Sequence, residues 1–553
     1  MPDRTAWVKT SYHAKGLDPL GVQAPCIHLY GQLLPGITNV TDRARYYSFY
    51  PWLVWTLDQL PGTKTYEEPV TWVRRADCLF TMIGIRHRLV SDDHDVRKHD
   101  AALIGRQRLG PAVAALRPDG HLWLTDYTVR EDNPRRYFKN PLGGLKQYYL
   151  GPLADFGLMR AVGRGAAYTR ERGAMMAAAF DATVDRRLFV ETVQGEEVST
   201  ERLDALARFC PCHMPSAMQE HDALLALFFD TSPSAGDAGC QRRRSLGLLL
   251  DLAKTFQQRS TAAEIPLDHH TFRGCVYAGT FPDGTPWELP AALDTVRAGW
   301  AVYQRNEMLS VAMQCIFWVA LQCLLEGHPT LATTEDFVRW FTMCPSVAQT
   351  VADVQGDDVA TVLGRVRATL PPLEEWGSDA HEVTLTRRAL DTYQKWRVRD
   401  VKVDLLSLAS RILLSVMARD DAQHPVYAPI ALPPDYLALY PVNLASLRAH
   451  ARTVWPPMRY AAWLGWLAGY WGIEAHLRVA LRKLRAQSQD TFHIVPAAEG
   501  WQVLELPEPT YTTPRLSQAV QILQDLGAIE RPPHSDTVRL TGLGDALWGV
   551  TRA

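Results

Sequence analysis

The run from Met308 to Leu325 most constrains what this chain can fold into. It is apolar along nearly its whole length, with Gln314 and Gln322 inside it and Glu307 and Glu326 at its ends. It comes close to the length that crosses a bilayer, but amides within the run and acids at its borders place it as a buried core helix. A helix apolar on almost every side has to be enclosed by other elements, so a sizeable helical body is expected around it. Tyr460 to Ile473, shorter than a span and rich in tryptophan, reads the same way. No membrane partner is expected.

Elsewhere, segments with helical spacing of apolar residues far outnumber alternating ones, which predicts a mainly α, multidomain chain. Short strands are expected only in hairpins, at residues 120–130, 270–290 and 490–540. At 553 residues the chain exceeds what one core usually supports. The expected division is an N-terminal helical domain over 1–230, a central helical domain over 240–428 and a C-terminal domain over 436–553. The small polar stretch Thr231 to Gly239 and the proline-rich 429–436 would separate them. The net charge of -2 supplies no overall attraction for a polyanion, so any nucleic-acid surface has to be a local patch. Nine cysteines without a dense framework suggest reduced thiols, and the N-terminus lacks the apolar core of a signal peptide, so a cytoplasmic protein is expected.

The C-terminal stretch reads most clearly. From Gly472 to Ala486, Ile473, Leu477, Ala480, Leu481 and Leu484 form an apolar stripe, and Arg478, Arg482 and Arg485 a basic face beside it that is expected to lie along DNA phosphates. Strands over Thr491 to Val495 and Gln502 to Leu506 would follow, across a turn at Pro496 to Gly500. Thr513 and Pro514 then read as the cap and first position of a helix whose stripe is Leu516, Ala519, Val520, Leu523 and Leu526 and whose end is Gly527. A second hairpin, with strands over 528–530 and 537–541, and a helix through Trp548 close the chain. The segment "LQDLGAIERPPHSDTVRLTGLGDALW" resembles the second half of a winged-helix domain. That resemblance implies duplex DNA as partner, met by Arg515, Ser517, Gln518 and Gln521 on the helix and by Arg531, His534 and Arg539 on the wing.

The same order has an echo near 142–180. "LKQYYLGPLADFGLM" and "AAYTRERGAMMAAAF" loosely parallel the C-terminal segment, with small insertions, matching Leu145, Gln147, Asp155, Gly157, Thr169 and Gly173 with Leu516, Gln518, Asp525, Gly527, Thr541 and Gly544; the match reads as two helix–wing–helix elements or simply as two helices ended by glycine. Arg160, Arg164, Arg170 and Arg172 give this copy a basic surface too.

Other residues invite chemistry. In "DRARYYSFY", a helix expected to be capped by Thr38 or Thr41 and interrupted by Pro51, Arg43 and Arg45 stand among aromatics. That pattern suits nucleic-acid stacking, and suits better an aromatic face buried under arginine stems. In "SDDHDVRKHD", His94 and His99 with Asp95 and Asp100 are metal-ligand types, the set that a metal-dependent nuclease would need, but they match no hydrolase spacing and the expectation is a solvated loop without a metal. Cys210, Cys212 and His213 raise the same question, yet two thiols need a second ligand pair and Cys240 alone does not supply it. Glu307 reads as a helix N-terminal anion rather than a catalytic carboxylate. Phosphate-loop, GxSxG and HExxH motifs are absent from the sequence, so no cofactor and no catalytic role are expected.

Three motifs, "LLPGITNVTDRARYYSFYPWLV", "YQRNEMLSVAMQCIFW" and "HLRVALRKLRAQSQDTFHIVP", resemble a family of large bacterial proteins found among anti-phage defence and mobile-element genes. The resemblance implies a setting and no particular reaction. The expected function is a non-catalytic nucleic-acid-binding or scaffold component of a multi-protein defence complex, binding duplex DNA through phosphates. A protein-docking adaptor and a nuclease effector are the alternatives.

Overall fold

The computed structural model describes residues 18–62, 67–129, 133–230, 236–259, 266–421, 439–487, 489–497, 500–532, 535 and 537–552. It is mainly helical, and the strands among these residues form four two-stranded antiparallel sheets. The chain divides into two compact units, one of residues 1–30 with 269–514, the other of 31–268 with 515–553. Of the expected separator at 231–239, residues 231–235 lie outside the described residues and 237–239 are the first residues of helix Asp237–Arg259 rather than linker; the separator at 429–436 lies outside the described residues.

In the first unit the apolar run forms the middle of one helix, Ala291–Gly327. It is the single helix among the described residues long and apolar enough to span a membrane, and 89% of its apolar window is buried within the fold, as a core helix requires. Around it pack helices His269–Ala278, Glu382–Tyr393 and Lys402–Asp421 and the segment Leu467–Glu474. Its polar residues hold an extended strap. Gln314 accepts from the Thr510 amide at 3.1 Å and donates to the Thr510 carbonyl at 3.1 Å, and Glu307 accepts from the Thr512 amide at 2.7 Å and the Tyr303 hydroxyl at 2.6 Å. Glu307 thus lies deep inside the helix rather than at an N-terminus, and burial raises its carboxyl above the usual range. The tryptophan-rich stretch is also buried: Trp455 meets Trp463, Trp466 and Trp471 edge to face. The hairpin after it pairs β5 (Ile494–Ala497) with β6 (Gly500–Val503), so the expected turn is largely strand. Near 270–290 there is one isolated bridge, Thr280 with Pro286, in place of a hairpin.

The second unit is built on helix Tyr46–Gln59, which runs through Pro51 instead of breaking there. Tyr46, Tyr47, Phe49, Tyr50 and Trp52 interlock with Phe80, Tyr149, Phe156, Phe180, Phe189, Phe209 and Phe228. Neither Thr38 nor Thr41 caps this helix: its first position follows Arg45, and the amide of Ala44 donates to Asp525 at 3.0 Å. β1 (Leu122–Trp123) pairs with the distant β4 (Glu197–Val198) rather than in a local hairpin. β2 (Met159–Val162) pairs with β3 (Gly165–Tyr168), and β7 (Ile529–Glu530) with β8 (Arg539–Leu540).

Candidate nucleic-acid interface and a thiol–imidazole cluster

The echo in the sequence is a structural duplication. Each copy is a helix, a two-stranded hairpin and a closing helix: Leu150–Asp155, β2, β3 and Arg172–Asp181 in the first, Leu516–Asp525, β7, β8 and Gly542–Arg552 in the second. Gly157 and Gly527 end the leading helices at φ +67° and +71°, where a side chain would be strained. The following amides, of Leu158 and Ala528, donate back to Leu153 and Leu523 at 2.8 and 2.9 Å. The hydroxyls of Thr169 and Thr541 donate to the carbonyls of Gly157 and Gly527, both at 2.7 Å, and accept from the amides of Gly173 and Gly544 at 2.9 and 3.0 Å. Each threonine therefore ties the end of one helix to the start of the next.

The copies differ in what they present. In the second, the polar face of the leading helix is turned inward. Gln518 donates to the Asn39 carbonyl at 3.1 Å and to Asp42 at 3.0 Å, and Gln521 donates to the Arg97 carbonyl at 2.9 Å. Arg531 donates to Gln521 at 2.7 Å and Gln524 at 2.6 Å. Arg515, in a left-handed conformation, stands at the position before the helix expected for Thr513 without a side-chain capping bond, and its guanidinium donates to the Leu34 carbonyl at 2.9 Å. Gln518 and Gln521, expected to face base edges, are thus buried and spent inside the unit; Arg539 is exposed, and His534 lies outside the described residues. In the first copy Ala154 and Asp155 of the helix, and Lys146 and Gln147 of the π-helical turn Leu145–Tyr149 that leads into it, are exposed, as are Arg160, Arg164, Arg170 and Arg172 on and beside the hairpin.

The basic helix Ala475–Gln487 belongs to the other unit. Arg478 is exposed and paired with Glu474, Arg482 donates to the Leu439 carbonyl at 2.7 Å and covers the Tyr440 ring at 4.3 Å, and Arg485 is exposed. Its histidine is structural: His476 donates from Nδ1 to the Pro19 carbonyl at 2.9 Å and accepts at Nε2 from the His493 amide at 2.9 Å, and burial lowers it to about 3.

Arg43 and Arg45 are fully buried, out of reach of any stacking partner. Arg45 pairs with Glu220 at 2.8 Å, as Arg43 does with Asp525 at 3.0 Å. The loop after Ser91 does not gather its acids around His94. Asp95 is held by Arg97 at 3.0 Å, Asp100 by Arg88 and Arg106 at 2.9 Å each, and His94 is engaged with the Arg88 carbonyl. The nuclease set His94, Asp95, His99 and Asp100 therefore does not converge.

His99 instead turns to Cys210 and Cys212, whose missing second ligand pair is supplied by two histidines. Nδ1 of His99 lies 3.4 Å from Cys210 Sγ, Nδ1 of His87 lies 3.2 Å from Cys212 Sγ, and the two nitrogens are 3.3 Å apart. All four donor atoms fall within 4.8 Å of one another, with His99 and Cys210 buried and His87 and Cys212 half-buried. His213 is excluded from the set, its ring packing against His87 at 4.8 Å between centroids. The sequence gives no sign of His87 as a partner, because it sits on the last turn of helix Glu67–Val90, more than a hundred positions before the thiols. Compared with known proteins, the chain matches no family model, no curated protein and no solved structure.

Proposed function

We propose that this chain is a non-catalytic nucleic-acid-binding component of a bacterial defence assembly, and that its duplex-facing element is the first, winged-helix-like copy. The observation that carries the reading is the asymmetry of the duplication: one copy has spent its polar helix face on its own unit, and the other keeps that face and a basic wing exposed. Arg160 and Arg164 on the wing, with Arg170 and Arg172 at the start of the closing helix, suit phosphate contact, while few side chains of bidentate base-reading type stand beside them. Binding is then weakly sequence-specific and steep in salt. The resemblance to defence-associated proteins supplies the setting.

Fluorescence anisotropy with a labelled duplex at two salt concentrations tests it. The wild type binds at low salt, and replacing the four arginines by alanine weakens binding to all sequences alike and lowers the log–log salt slope by about 0.9 for each phosphate that is no longer neutralised. No binding at low salt overturns the proposal. A second reading, a protein-docking adaptor, draws on Leu481 and Leu484, which stand exposed among the arginines of helix Ala475–Gln487. It expects a partner that is missing from pull-downs of the Leu481→Ser, Leu484→Ser variant and retained by the four-arginine variant.

A further inference from the structure

The four-residue cluster in the second unit has the shape of a coordination sphere. Tetrahedral zinc with Zn–N of about 2.05 Å and Zn–S of about 2.3 Å puts nitrogen pairs about 3.3 Å apart and nitrogen–sulfur pairs about 3.5 Å apart. The cluster shows 3.3 Å between the imidazole nitrogens and 3.4 and 3.2 Å for two of the four nitrogen–sulfur edges, and all six edges are within 4.8 Å. Hydrogen bonding alone is a poor account of it: the two thiols can each donate to one imidazole, but this leaves two accepting Nδ1 atoms 3.3 Å apart with no donor between them.

We propose that His87, His99, Cys210 and Cys212 bind one structural zinc ion. Two thiolates and two imidazoles select a borderline-soft tetrahedral ion, and four protein ligands leave no position open for a substrate, so the ion fastens rather than catalyses. What it fastens follows from where the ligands sit. His87 lies on the last turn of helix Glu67–Val90, His99 in the loop beyond it, and Cys210 and Cys212 flank Pro211 at the entry to the turn Pro211–Ser216. The outer contacts hold the ligands in place: Ser91 Oγ stands 3.5 Å from His99 Nε2, and Arg45 donates to the Cys210 carbonyl. The same loop receives the second helix–hairpin–helix copy. Its carbonyls at Arg97 and Lys98 accept from Arg43, Arg97 also accepts from Gln521, and the Arg97 guanidinium donates to Pro532 and Ser535 on the second hairpin. Zinc at this point locks the surface on which residues 515–553 dock within their unit.

The test uses the full-length chain, purified without a metal-affinity step. Elemental analysis should give one zinc per chain, and cobalt exchanged for it should show the visible bands of a tetrahedral thiolate site. Cys210→Ser with Cys212→Ser should lose both, while Cys240→Ser, at a thiol outside the cluster, keeps them. If the double variant does not fold, alkylation of the wild type decides: zinc should protect Cys212, and a chelator should expose it. Substoichiometric metal after incubation with zinc and removal of the excess, a folded double variant that retains the ion, or equal alkylation of Cys212 with and without zinc would each overturn the assignment.

Discussion

Arg43 donates through Nε to Asp525 at 3.0 Å, across 482 positions of sequence, with both side chains buried. The same carboxylate oxygen accepts from the Ala44 amide, so an acid from the C-terminal copy serves the chain just ahead of helix Tyr46–Gln59. The remaining donors of Arg43 reach the carbonyls of Arg97, Lys98 and Ala101 at 3.0 to 3.1 Å.

Removing one side of such a pair strands a buried charge. Asp525→Ala should cost about 3–5 kcal/mol, and so should Arg43→Ala. Because both changes break one network, the double variant should lose much less than the sum, a coupling that urea unfolding of the four proteins measures. Additive losses would mean that the two side chains do not act as a pair.

These residues also show what the sequence could and could not say. Periodicity marks a helix from Glu67 to His87, observed as Glu67–Val90, and the core helix, because apolar spacing is a local property of the chain. The duplication is legible for a similar reason: glycine and threonine recurring in the same order, with small insertions between them, report local backbone demands at the helix end and the next helix start. The fate of Arg43, Gln518 and Gln521 is not, since an arginine or glutamine on a helix face looks the same whether it meets water or a distant carbonyl. Nor is the second ligand pair for Cys210 and Cys212, which exists only once the turn carrying them meets the end of Glu67–Val90.

Asp77 should give the second unit a measurable acid response. It accepts from Tyr50 at 2.8 Å, the Gly144 amide at 3.0 Å and Tyr137 at 3.1 Å, but complete burial outweighs these bonds and pushes its carboxyl up to about 6. The folded state then holds the proton more tightly than the unfolded chain does. The resulting stability is full below about pH 4 and is lost as pH rises through about 6, a change of about 3 kcal/mol. Asp77→Asn cannot titrate. Its unfolding free energy, measured beside the wild type at pH 4 and pH 7, should lie further below the wild type at pH 4, with the gap closing by about that amount at pH 7. A constant gap would show that Asp77 does not titrate in this window.

The two copies of the helix–hairpin–helix element should separate stability from binding. Gln518 and Gln521 are buried donors to Asn39, Asp42 and Arg97; alanine at Gln518 leaves acceptors short of a donor, alanine at Gln521 takes an acceptor from Arg531 and one of two donors from the Arg97 carbonyl, and each should cost about 1–3 kcal/mol. Neither change touches an exposed surface, and duplex affinity of the folded variants should stay within about twofold of the wild type. Arg160 and Arg164 are the reverse case: exposed on a hairpin, they should change stability by no more than about 0.5 kcal/mol when replaced by alanine. Duplex affinity at low salt should fall by an order of magnitude or more for that pair, because each arginine removed from a phosphate takes the release of a counterion with it. Thermal melts run beside anisotropy titrations on the same samples read both axes. If the glutamine variants lose affinity while the arginine pair keeps it, the duplex lies against the C-terminal copy, and the inward-facing hydrogen bonds of that helix must open for it to bind.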